Sequence, residues 1–380
     1  MMASLNNGSV NLSSATDLYL DFEKPRLGSN IPGLDGLRAI SILLVMLSHS
    51  GLQNVVPGVF GVTIFFFISG FLITSLLVAE HKATNTVSIK RFYLRRILRL
   101  YPPLLTYVIV ISAIWAVRGF SIDFIGLFGA LFYFANYLYA IWPEHVVVYG
   151  AHLWSLSVEE HFYLFFPLLF VLGIGRNSIA LCLLILVATV VRVIGTHFGA
   201  TETYTSVATE CRYDTILTGC LTAIAVNSPG NYRLIRFAAH PIVVIIALCV
   251  ILSTFVVRDP TFRQTFRFTI QNIALVPLVL SAVFTSRYLT AKAILNWKPV
   301  KWIGVLSYSL YLWHFTLFDF AKAGLDGAPA VVQYSIGWLL AFCVAIAIYF
   351  LVERPMFRLR RLAGSRAHEN IANPGSVVDR

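Results

Sequence analysis

Charged residues are scarce in this sequence. Only 12% of its 380 residues are Asp, Glu, Lys or Arg, whereas 58% are hydrophobic. Soluble globular domains carry about 25% charged residues, so this composition excludes an ordinary soluble domain and indicates a polytopic membrane protein. Apolar runs extend along the chain with no long polar interval between them. We therefore predict one membrane bundle, not two or three domains.

Acidic residues are the scarcer of the two charged classes. The chain has 29 Lys and Arg against 18 Asp and Glu, a net charge of +11. Such an excess can indicate nucleic-acid binding, but these basic residues cluster in short segments between apolar runs, as juxtamembrane residues do. We expect the lipid bilayer to be a partner of this protein and nucleic acid not to be.

Cysteines are few and carry no ligand spacing. No CxxC pair occurs, and four of the five lie within apolar runs, so neither a disulfide framework nor a metal site is predicted. The cysteines are Cys182, Cys211, Cys220, Cys249 and Cys343. A zinc site is disfavoured because its candidate ligands lack a known spacing. Those candidates are His145, His152, Glu160 and His161.

The two ends of the chain lack the apolar pattern. Residues 1–30 are polar, include acidic side chains and contain no apolar core of a signal peptide, so we expect an uncleaved tail. We predict a membrane domain over 31–356. Residues 357–380 are predicted to form a basic, disordered cytoplasmic tail with no further domain.

Windows of about 20 apolar residues define candidate membrane spans. They lie at 35–55, 58–79, 101–118, 122–142, 153–174, 178–196, 212–227, 241–257, 270–286, 302–322 and 331–352. Short basic segments favour the cytoplasmic side, which predicts that both termini and three segments are cytoplasmic. These segments are 82–99, 287–301 and 354–366.

An odd number of candidates lies between the first two basic segments, so either one of them does not cross the membrane or one basic loop is an exception to this rule. The weakest is 212–227, because it is short and begins with Arg212 and Asp214. We therefore predict an all-α bundle of about ten spans with one broken or re-entrant segment lining a cavity.

Arg38 and His49 stand at the two ends of an apolar run. Eleven residues at about 100° each make three turns plus about 20°, so the two side chains share a helix face and lie about 16 Å apart. Arg38 would then lie near the cytoplasmic entrance and His49 deeper. Two simpler interpretations are that Arg38 extends to lipid headgroups and that His49 caps its helix.

The segment "RFYLRRILRLYPP" carries a cluster of arginines. Arg95, Arg96 and Arg99 are close enough on a helix to bind phosphate through guanidinium contacts. The alternative is lipid-headgroup binding or a topological signal. In the preceding span, Gly58, Gly61 and Gly70 permit close approach of a backbone or a ligand, and Ser69 can hydrogen-bond within the bundle.

The segment "HLWSLSVEEHFYLFFP" places Glu159 and Glu160 directly before an apolar run. A buried carboxylate needs a partner, and we expect His49 to supply it. A further stretch, "SYSLYLWHFTLF", contains Trp313 and His314. An interfacial aromatic belt accounts for the tryptophan but not for the histidine.

Together these segments resemble the acyltransferase-3 family of integral membrane acyltransferases, whose bacterial members O-acylate surface polysaccharides. The resemblance runs from about Ile31 to Pro355 and rests on the joint order of several motifs. They are the Arg-x10-His pair in "LDGLRAISILLVMLSHSG", "GVFGVTIFFFISGFLIT", "FYLRRILRLYPP", "HLWSLSVEEHFYLFFP", "RYDTILTG", "SYSLYLWH" and "VERP".

The resemblance implies an acyl-CoA donor at the cytoplasmic face of the inner membrane and transfer to a sugar hydroxyl, most commonly of an acetyl group. It implies that His49 is catalytic and that Arg38 interacts with the donor or an intermediate. Arg95, Arg96 and Arg99 would contact the phosphates of coenzyme A. His49 could act as a general base or carry the acyl group, and Glu159 or Glu160 would hold its tautomer.

Several other side chains are candidates for substrate binding. They are Asp35, His152, Trp154, Ser155, His161, Trp313 and His314. The family usually has glutamine where this chain has His161, so we expect an altered fit of the acceptor, a glycan or glycolipid. Two rival classes are a secondary transporter, which also uses broken helices and intramembrane ionisable residues, and an accessory subunit of a polysaccharide complex.

Overall fold

The computed structural model describes residues 31–284 and 288–363, and within these ranges it contains helices and no strand. The α-helices are α1 Leu34–Leu47, α2 Gly58–Thr84, α3 Ile89–Val117, α4 Phe124–Leu131, α5 Ala135–Ile141, α6 Trp154–Val171, α7 Ser178–His197, α8 Glu202–Val207, α9 Thr209–Asn227, α10 Tyr232–Ala238, α11 Pro241–Val256, α12 Pro260–Gln264, α13 Arg267–Phe284, α14 Leu289–Asn296, α15 Lys298–Gly324, α16 Ala330–Ile348 and α17 Arg354–Ala363. Two π-turns, Ser48–Leu52 and Tyr349–Glu353, continue α1 and α16.

Among the described residues, five helical segments are long and apolar enough to cross a bilayer. They are α2, α3, α7, α13 and the segment Ala330–Leu359. A sixth is obtained if α10 and α11, which meet at a bend of 57°, form one broken span. The all-helical, multi-pass architecture is therefore confirmed, while a total of about ten spans stays a prediction.

The perimeter of the bundle is suited to lipid. Large apolar side chains on several helices are exposed to more than half of their area, as Ile109, Leu183, Ile245 and Leu339 illustrate. A soluble protein would not leave so many such side chains uncovered, because their transfer out of water is favourable. Their position around the bundle supports membrane insertion of the helices that carry them.

The irregular segment is not the one that the sequence indicates. Residues 122–142 do not form one helix: α4 and α5 have eight and seven residues, about 10–12 Å each, too short to span a membrane. Between them Tyr133 has a positive φ of 61°, which interrupts the helix. The prediction of 122–142 as one span is therefore wrong, whereas 212–227, predicted as the segment that does not cross the membrane, is not among the candidate spans of the described residues.

The region 212–227 is instead part of α9, a continuous helix of 19 residues. Its hydropathy is low because it contains polar residues such as Arg212 and Asp214. Both side chains are enclosed by protein, each with 0% of its surface exposed. A helix surrounded by other helices does not need an apolar surface all round, since its polar groups find protein partners.

Glycines bring the central helices close together. A Cβ on Gly70 of α2 would overlap the carbonyl oxygen of Ile216 in α9, and one on Gly219 of α9 would overlap that of Phe67. Gly61 faces the carbonyl oxygen of Ser41 in α1 in the same way. The close approach predicted for the α2 glycines is confirmed as backbone packing, which places α1, α2 and α9 at the centre of the bundle.

The first part of the predicted C-terminal tail is helical. Helix α17 runs from Arg354 to Ala363 and packs against α3, so residues 357–363, predicted as the start of a disordered tail, are helical. The predicted tail at 1–30 and the remainder of the predicted tail, 364–380, lie outside the described residues.

Candidate active site

One cavity in the bundle brings three guanidinium groups together. Arg38 comes from α1, and Arg96 and Arg99 come from α3. We call this the donor cavity, because it holds arginines that the sequence predicts to contact an acyl-CoA donor. Its remaining lining residues are Val62, Phe65, Phe66, Ile68, Ser69, Leu72, Ile73, Leu100, Ser155, Leu156, Glu159, Tyr163, Ser307, Tyr308 and Tyr311. Three cations facing one carboxylate give the cavity a net positive charge, which suits an anionic group.

Neighbouring side chains hold the guanidinium groups in place. The guanidinium of Arg96 lies 4.6 Å from the centre of the Tyr163 ring, a distance suited to a cation–π interaction. Arg38 lies one turn beyond Asp35, which acts on it electrostatically from the first turn of α1. Asp35 itself does not line the donor cavity: its backbone packs against Gly304 of α15.

Arg95 points to a different neighbour. Its Nη2 atom lies 3.4 Å from Oε2 of Glu80 on α2, and Glu80 also accepts a hydrogen bond from the backbone N–H of Ser88. Arg95 and Arg99 are four residues apart and so differ by only about 40° around the helix, which means that the contact with Glu80, and not the helical spacing, directs the Arg95 side chain away. The structure therefore does not place Arg95 in the donor cavity with Arg96 and Arg99.

The carboxylate of Glu159 lies in the donor cavity, not beside a histidine. It accepts hydrogen bonds from the hydroxyls of Ser69 and Tyr163, and the predicted intrabundle bond of Ser69 is confirmed. Glu160 is within electrostatic range of Arg96. The predicted pairing of Glu159 or Glu160 with His49 is wrong, because Glu159 lies two turns along α6 from the level of His152, where His49 is found.

His49 is paired with another histidine. Its Nδ1 atom lies 2.9 Å from Nε2 of His314 on α15, and the two rings stack with centroids 5.2 Å apart. His314 also lies 5.5 Å, centroid to centroid, from His152. The three rings form a histidine cluster in which His152 and His314 are buried and His49 is half-buried.

The protonation of the pair follows from its partners. Nδ1 of His314 lies 3.0 Å from the carbonyl oxygen of Leu310 and 2.9 Å from that of Tyr311. Carbonyl oxygens only accept, so this nitrogen carries a proton, and in a neutral ring the Nε2 atom must then accept. His49 therefore donates from Nδ1. Its Nε2 atom has no hydrogen-bond partner within the described part of the chain, and a lone pair there can accept a proton.

His152 and Trp313 complete the surroundings of the cluster. His152 donates from Nε2 to the carbonyl oxygen of Leu312 at 3.0 Å, and its ring stacks on Phe315. Trp313 is buried with its ring edge-on to Tyr107 at 5.1 Å between centroids. Neither side chain reaches the donor cavity.

A hydrogen-bonded chain joins the donor cavity to the histidine cluster. The hydroxyl of Ser155 donates to that of Tyr311 at 2.6 Å, and Tyr311 donates to the carbonyl oxygen of His152 at 2.8 Å. Both hydroxyl-bearing residues line the cavity, and the Tyr311 ring lies 5.7 Å from that of His314, centroid to centroid. Of the predicted substrate-binding residues, only Ser155 therefore lines the donor cavity.

Two other predicted substrate contacts lie elsewhere. His161 accepts or donates a hydrogen bond at 2.7 Å with Thr209 at the start of α9, and its ring stacks on Tyr137 of α5. Trp154 is buried edge-on to Phe66. Both face the packing between helices, so a direct contact of these side chains with substrate in the donor cavity is not supported by their position.

A buried ion pair behind the site has no counterpart in the sequence predictions. Arg192 of α7 donates to Asp214 of α9 at 2.9 Å, with both side chains fully buried. Arg212 lies beside them, 3.6 Å from the centre of the Phe268 ring, and donates to Thr63 at 3.0 Å. The low hydropathy of 212–227 was the available signal. No group of three His, Cys, Asp or Glu in the described residues is arranged to hold a metal ion.

Comparison with known proteins gives one family and a consistent set of relatives. The acyltransferase-3 family model, described as an acyltransferase domain, matches residues 31–354. A protein of Staphylococcus aureus strain COL named "Putative O-acetyltransferase SACOL0978" is 31% identical over 362 residues, covering 88% of this chain and 58% of the relative. O-acetyltransferase OatA of S. aureus strain NCTC 8325 is 30% identical over 349 residues, covering 86% of this chain and 57% of the relative.

This chain thus spans less than two thirds of the length of these relatives. No solved structure matches the chain significantly.

Proposed function

Because the chain belongs to the acyltransferase-3 family, we propose that it is an integral membrane O-acyltransferase. It moves an acyl group, most commonly acetyl, from acyl-CoA to a sugar hydroxyl of an exported glycan or glycolipid. The observation that carries this proposal is the pairing of His49 with His314. It leaves a basic nitrogen on His49 just after the C-terminal end of α1, and the N-terminal part of the same helix supplies Arg38 to the donor cavity.

The donor cavity suits the phosphates of coenzyme A. Arg96 and Arg99 provide planar donors that match phosphate oxygens, and the aromatic ring of Tyr163 fixes the first of them. The acyl end of the donor would then extend past Ser155 and Tyr311 towards the histidine cluster. About 16 Å of helix separates Arg38 from His49, a length suited to the pantetheine arm.

The chemistry assigned to His49 is general-base catalysis. Its Nε2 atom takes the proton of the acceptor hydroxyl while the hydroxyl oxygen attacks the thioester carbonyl carbon. A C–O bond forms, the C–S bond breaks, and the proton passes from His49 to the departing thiolate sulfur. His314 accepts the hydrogen bond from Nδ1 throughout and so fixes the ring orientation. The alternative is acyl transfer through His49 itself, which trapping an acyl-histidine from enzyme and donor alone would establish.

The proposed setting is the inner membrane. The bundle would cross it about ten times, with the donor cavity and both termini on the cytoplasmic side. The basic residues near the donor cavity, among them Lys90, Arg91 and Arg95, support this orientation because cytoplasmic loops are enriched in Lys and Arg.

Turnover by the purified full-length chain tests the proposal. In neutral-lipid nanodiscs, the wild type should release coenzyme A from acetyl-CoA in the presence of a sugar acceptor and form the acetyl ester, detected by mass. H49A should lose at least about 10²-fold in kcat, as expected for a general base. The matched control is H197A, which removes an exposed histidine at the end of α7. Equal activity of H49A and H197A would contradict the assignment.

The acceptor can be sought in cells. Surface glycans of a deletion strain and its parent should differ by the mass of one acyl group per modified unit. A complementing wild-type copy should restore that increment and H49A should not. Movement of solute across a membrane without any covalent change would instead identify a transporter.

A further inference from the structure

A second cavity lies at the other end of α1. Helices α1 and α13 run antiparallel, because Gly33 at the start of α1 contacts the carbonyl oxygen of Ala282 near the end of α13. The chain that follows α1, from Gln53 to Pro57, accordingly meets Arg267 at the start of α13, and the cavity lies between them. We call it the distal cavity, since the donor cavity is at the opposite end of the bundle.

The distal cavity is positively charged. Arg258, Arg263 and Arg267 line it, and no carboxylate does. Two nearby carboxylates are already engaged: Glu202 accepts from Arg263 at 2.8 Å, and Asp259 accepts the backbone N–H of Phe262 at the start of α12. Arg258 and Arg267 are therefore left without a carboxylate partner within the described residues.

The arginines also have unused hydrogen-bonding capacity. The Nε atoms of Arg263 and Arg267 are buried and have no hydrogen-bond partner within the described part of the chain. The guanidinium of Arg267 lies 4.6 Å from the centre of the Phe268 ring, which holds it in position. Buried N–H donors without acceptors are costly, and an anionic oxygen would relieve that cost at both arginines.

Topology does not account for this charge. Basic residues favour the cytoplasmic side of membrane proteins, and the donor cavity already occupies the basic end of this bundle. Three arginines at the other end run against that preference. A ligand of opposite charge gives them a physical reason to be there.

The distal cavity also offers groups that suit a sugar. Gln53 and Asn54 line it beside the arginines, and their amides can both donate to and accept from hydroxyl groups. Gln53 is four residues beyond His49, and four residues span at most about 14 Å. A sugar chain held in the distal cavity would therefore reach the proposed base.

We propose that the distal cavity binds an anionic group, a carboxylate or a phosphate, carried on the sugar acceptor. Arg258 and Arg267 bind the anion, and Gln53 and Asn54 bind neighbouring hydroxyls. The acceptor class is thus an acidic or phosphorylated glycan or glycolipid. This assignment of the acceptor rests on the proposed transferase function, whereas binding of the anion does not.

Binding is measured first, without donor. The full-length chain in neutral-lipid nanodiscs is titrated with glucuronic acid, glucose 1-phosphate and glucose by ligand-observed NMR. At least one charged sugar should bind about tenfold or more tightly than glucose, and R258Q and R267Q should each weaken that binding about tenfold, a loss of one hydrogen-bonded charge. The tighter of the two charged sugars identifies the anion as carboxylate or phosphate.

Controls separate this effect from general charge and from misfolding. R118Q removes an exposed arginine at the far end of α3, on the same side of the bundle, and should leave binding unchanged. R267K retains the charge and should lose less affinity than R267Q. R258Q alters an exposed side chain, so its folding should match the wild type even if R267Q is less stable. No preference for charged sugars, or an equal loss in R118Q, would overturn the inference.

Transfer is measured second, with acetyl-CoA and matched charged and neutral acceptors. The wild type should prefer the charged acceptor by about tenfold or more in kcat/KM, R258Q should abolish that preference, and the control R118Q should retain it. Transfer with no charge preference would overturn the inference and leave the proposed function standing. Anion binding without any transfer would overturn the proposed function and leave the binding site.

Discussion

At the scale of single residues, the site is defined by what His49 contacts. In hydrolases with a Ser-His-Asp triad, a carboxylate orients the base and stabilises its protonated form. Here His314 accepts from His49, and the backbone carbonyls of Leu310 and Tyr311 accept from His314. The orientation of the base is therefore fixed by neutral groups, and the carboxylate of Glu159 is left to the donor cavity.

His314 should consequently act as a positioning residue. We expect H314A to lower kcat by about 10²-fold, because His49 would lose the acceptor that fixes its tautomer, while KM for acetyl-CoA stays the same. Steady-state kinetics of the purified protein measures both. H197A again serves as the control. A rise in KM with kcat intact would show that His314 contributes to donor binding instead.

Substitution of a donor-cavity arginine should have a different effect from substitution of the neighbouring Arg95. We expect R96Q to raise KM for acetyl-CoA by about tenfold through loss of a charge-assisted phosphate contact, and R95Q, whose parent side chain pairs with Glu80, to change it little. With acetyl-pantetheine, which lacks the nucleotide, R96Q and wild type should have the same KM. A persistent difference with the truncated donor would contradict a phosphate contact.

At the scale of helices, α9 shows how polar groups can lie at the centre of a membrane bundle. Asp214 is fully buried and accepts from Arg192 on α7, while Arg212 lies over the Phe268 ring on α13. Three helices thus meet around one carboxylate and two guanidinium groups. Removing one member of such a buried pair leaves the other without compensation.

D214N should therefore destabilise the bundle strongly, by about 3–5 kcal/mol. The surface pair of Lys322 and Asp319, with 39% and 54% of their side chains exposed, offers a control: D319N should cost no more than about 1 kcal/mol. Melting temperatures of both variants in the same detergent at one scan rate give the comparison. Similar melting temperatures would show that the buried pair contributes little.

At the scale of the whole molecule, the sequence predicted which residues form the site better than which of these residues contact one another. The spacing of Arg38, Arg96 and Arg99 indicated a common charged end, and the structure brings these three together. The carboxylate partner of His49 could not be predicted, because it depends on how α6 and α15 are placed around α1. Helical spacing fixes a side chain within its own helix and leaves the rotation between helices open.

The same limit affected the spans. Hydropathy measures how well a segment suits lipid, and α9 is surrounded by protein, so its charged residues suggested a break that does not exist. The region 122–142 is apolar apart from Asp123 and Asn136 and gave no sign of the interruption at Tyr133, which is a matter of backbone conformation. Apolarity alone does not distinguish a spanning helix from two short ones.

Orientation can be tested on the whole chain. The far ends of α1 and α3 lie opposite the donor cavity, so in a cysteine-free background N54C and F120C should react with a membrane-impermeant maleimide in intact cells. T86C, in the turn between α2 and α3, should react only after permeabilisation. Labelling of T86C in intact cells would reverse the proposed orientation.

The π-turn at Ser48–Leu52 follows α1. It separates a segment whose helical register is fixed from a segment whose register is not. Nearly the whole interval between Arg38 and His49 is regular helix, where adding or removing one residue would swing His49 by about 100° away from His314. Beyond it, Ser50 and Gly51 leave helical geometry, and a π-turn already accommodates an extra residue. Single-residue insertions between Arg38 and His49 should therefore abolish acetyl transfer, whereas insertions between Gly51 and Gln53 should be tolerated. The length of the turn can then vary without a change in the proposed catalytic spacing of Arg38 and His49.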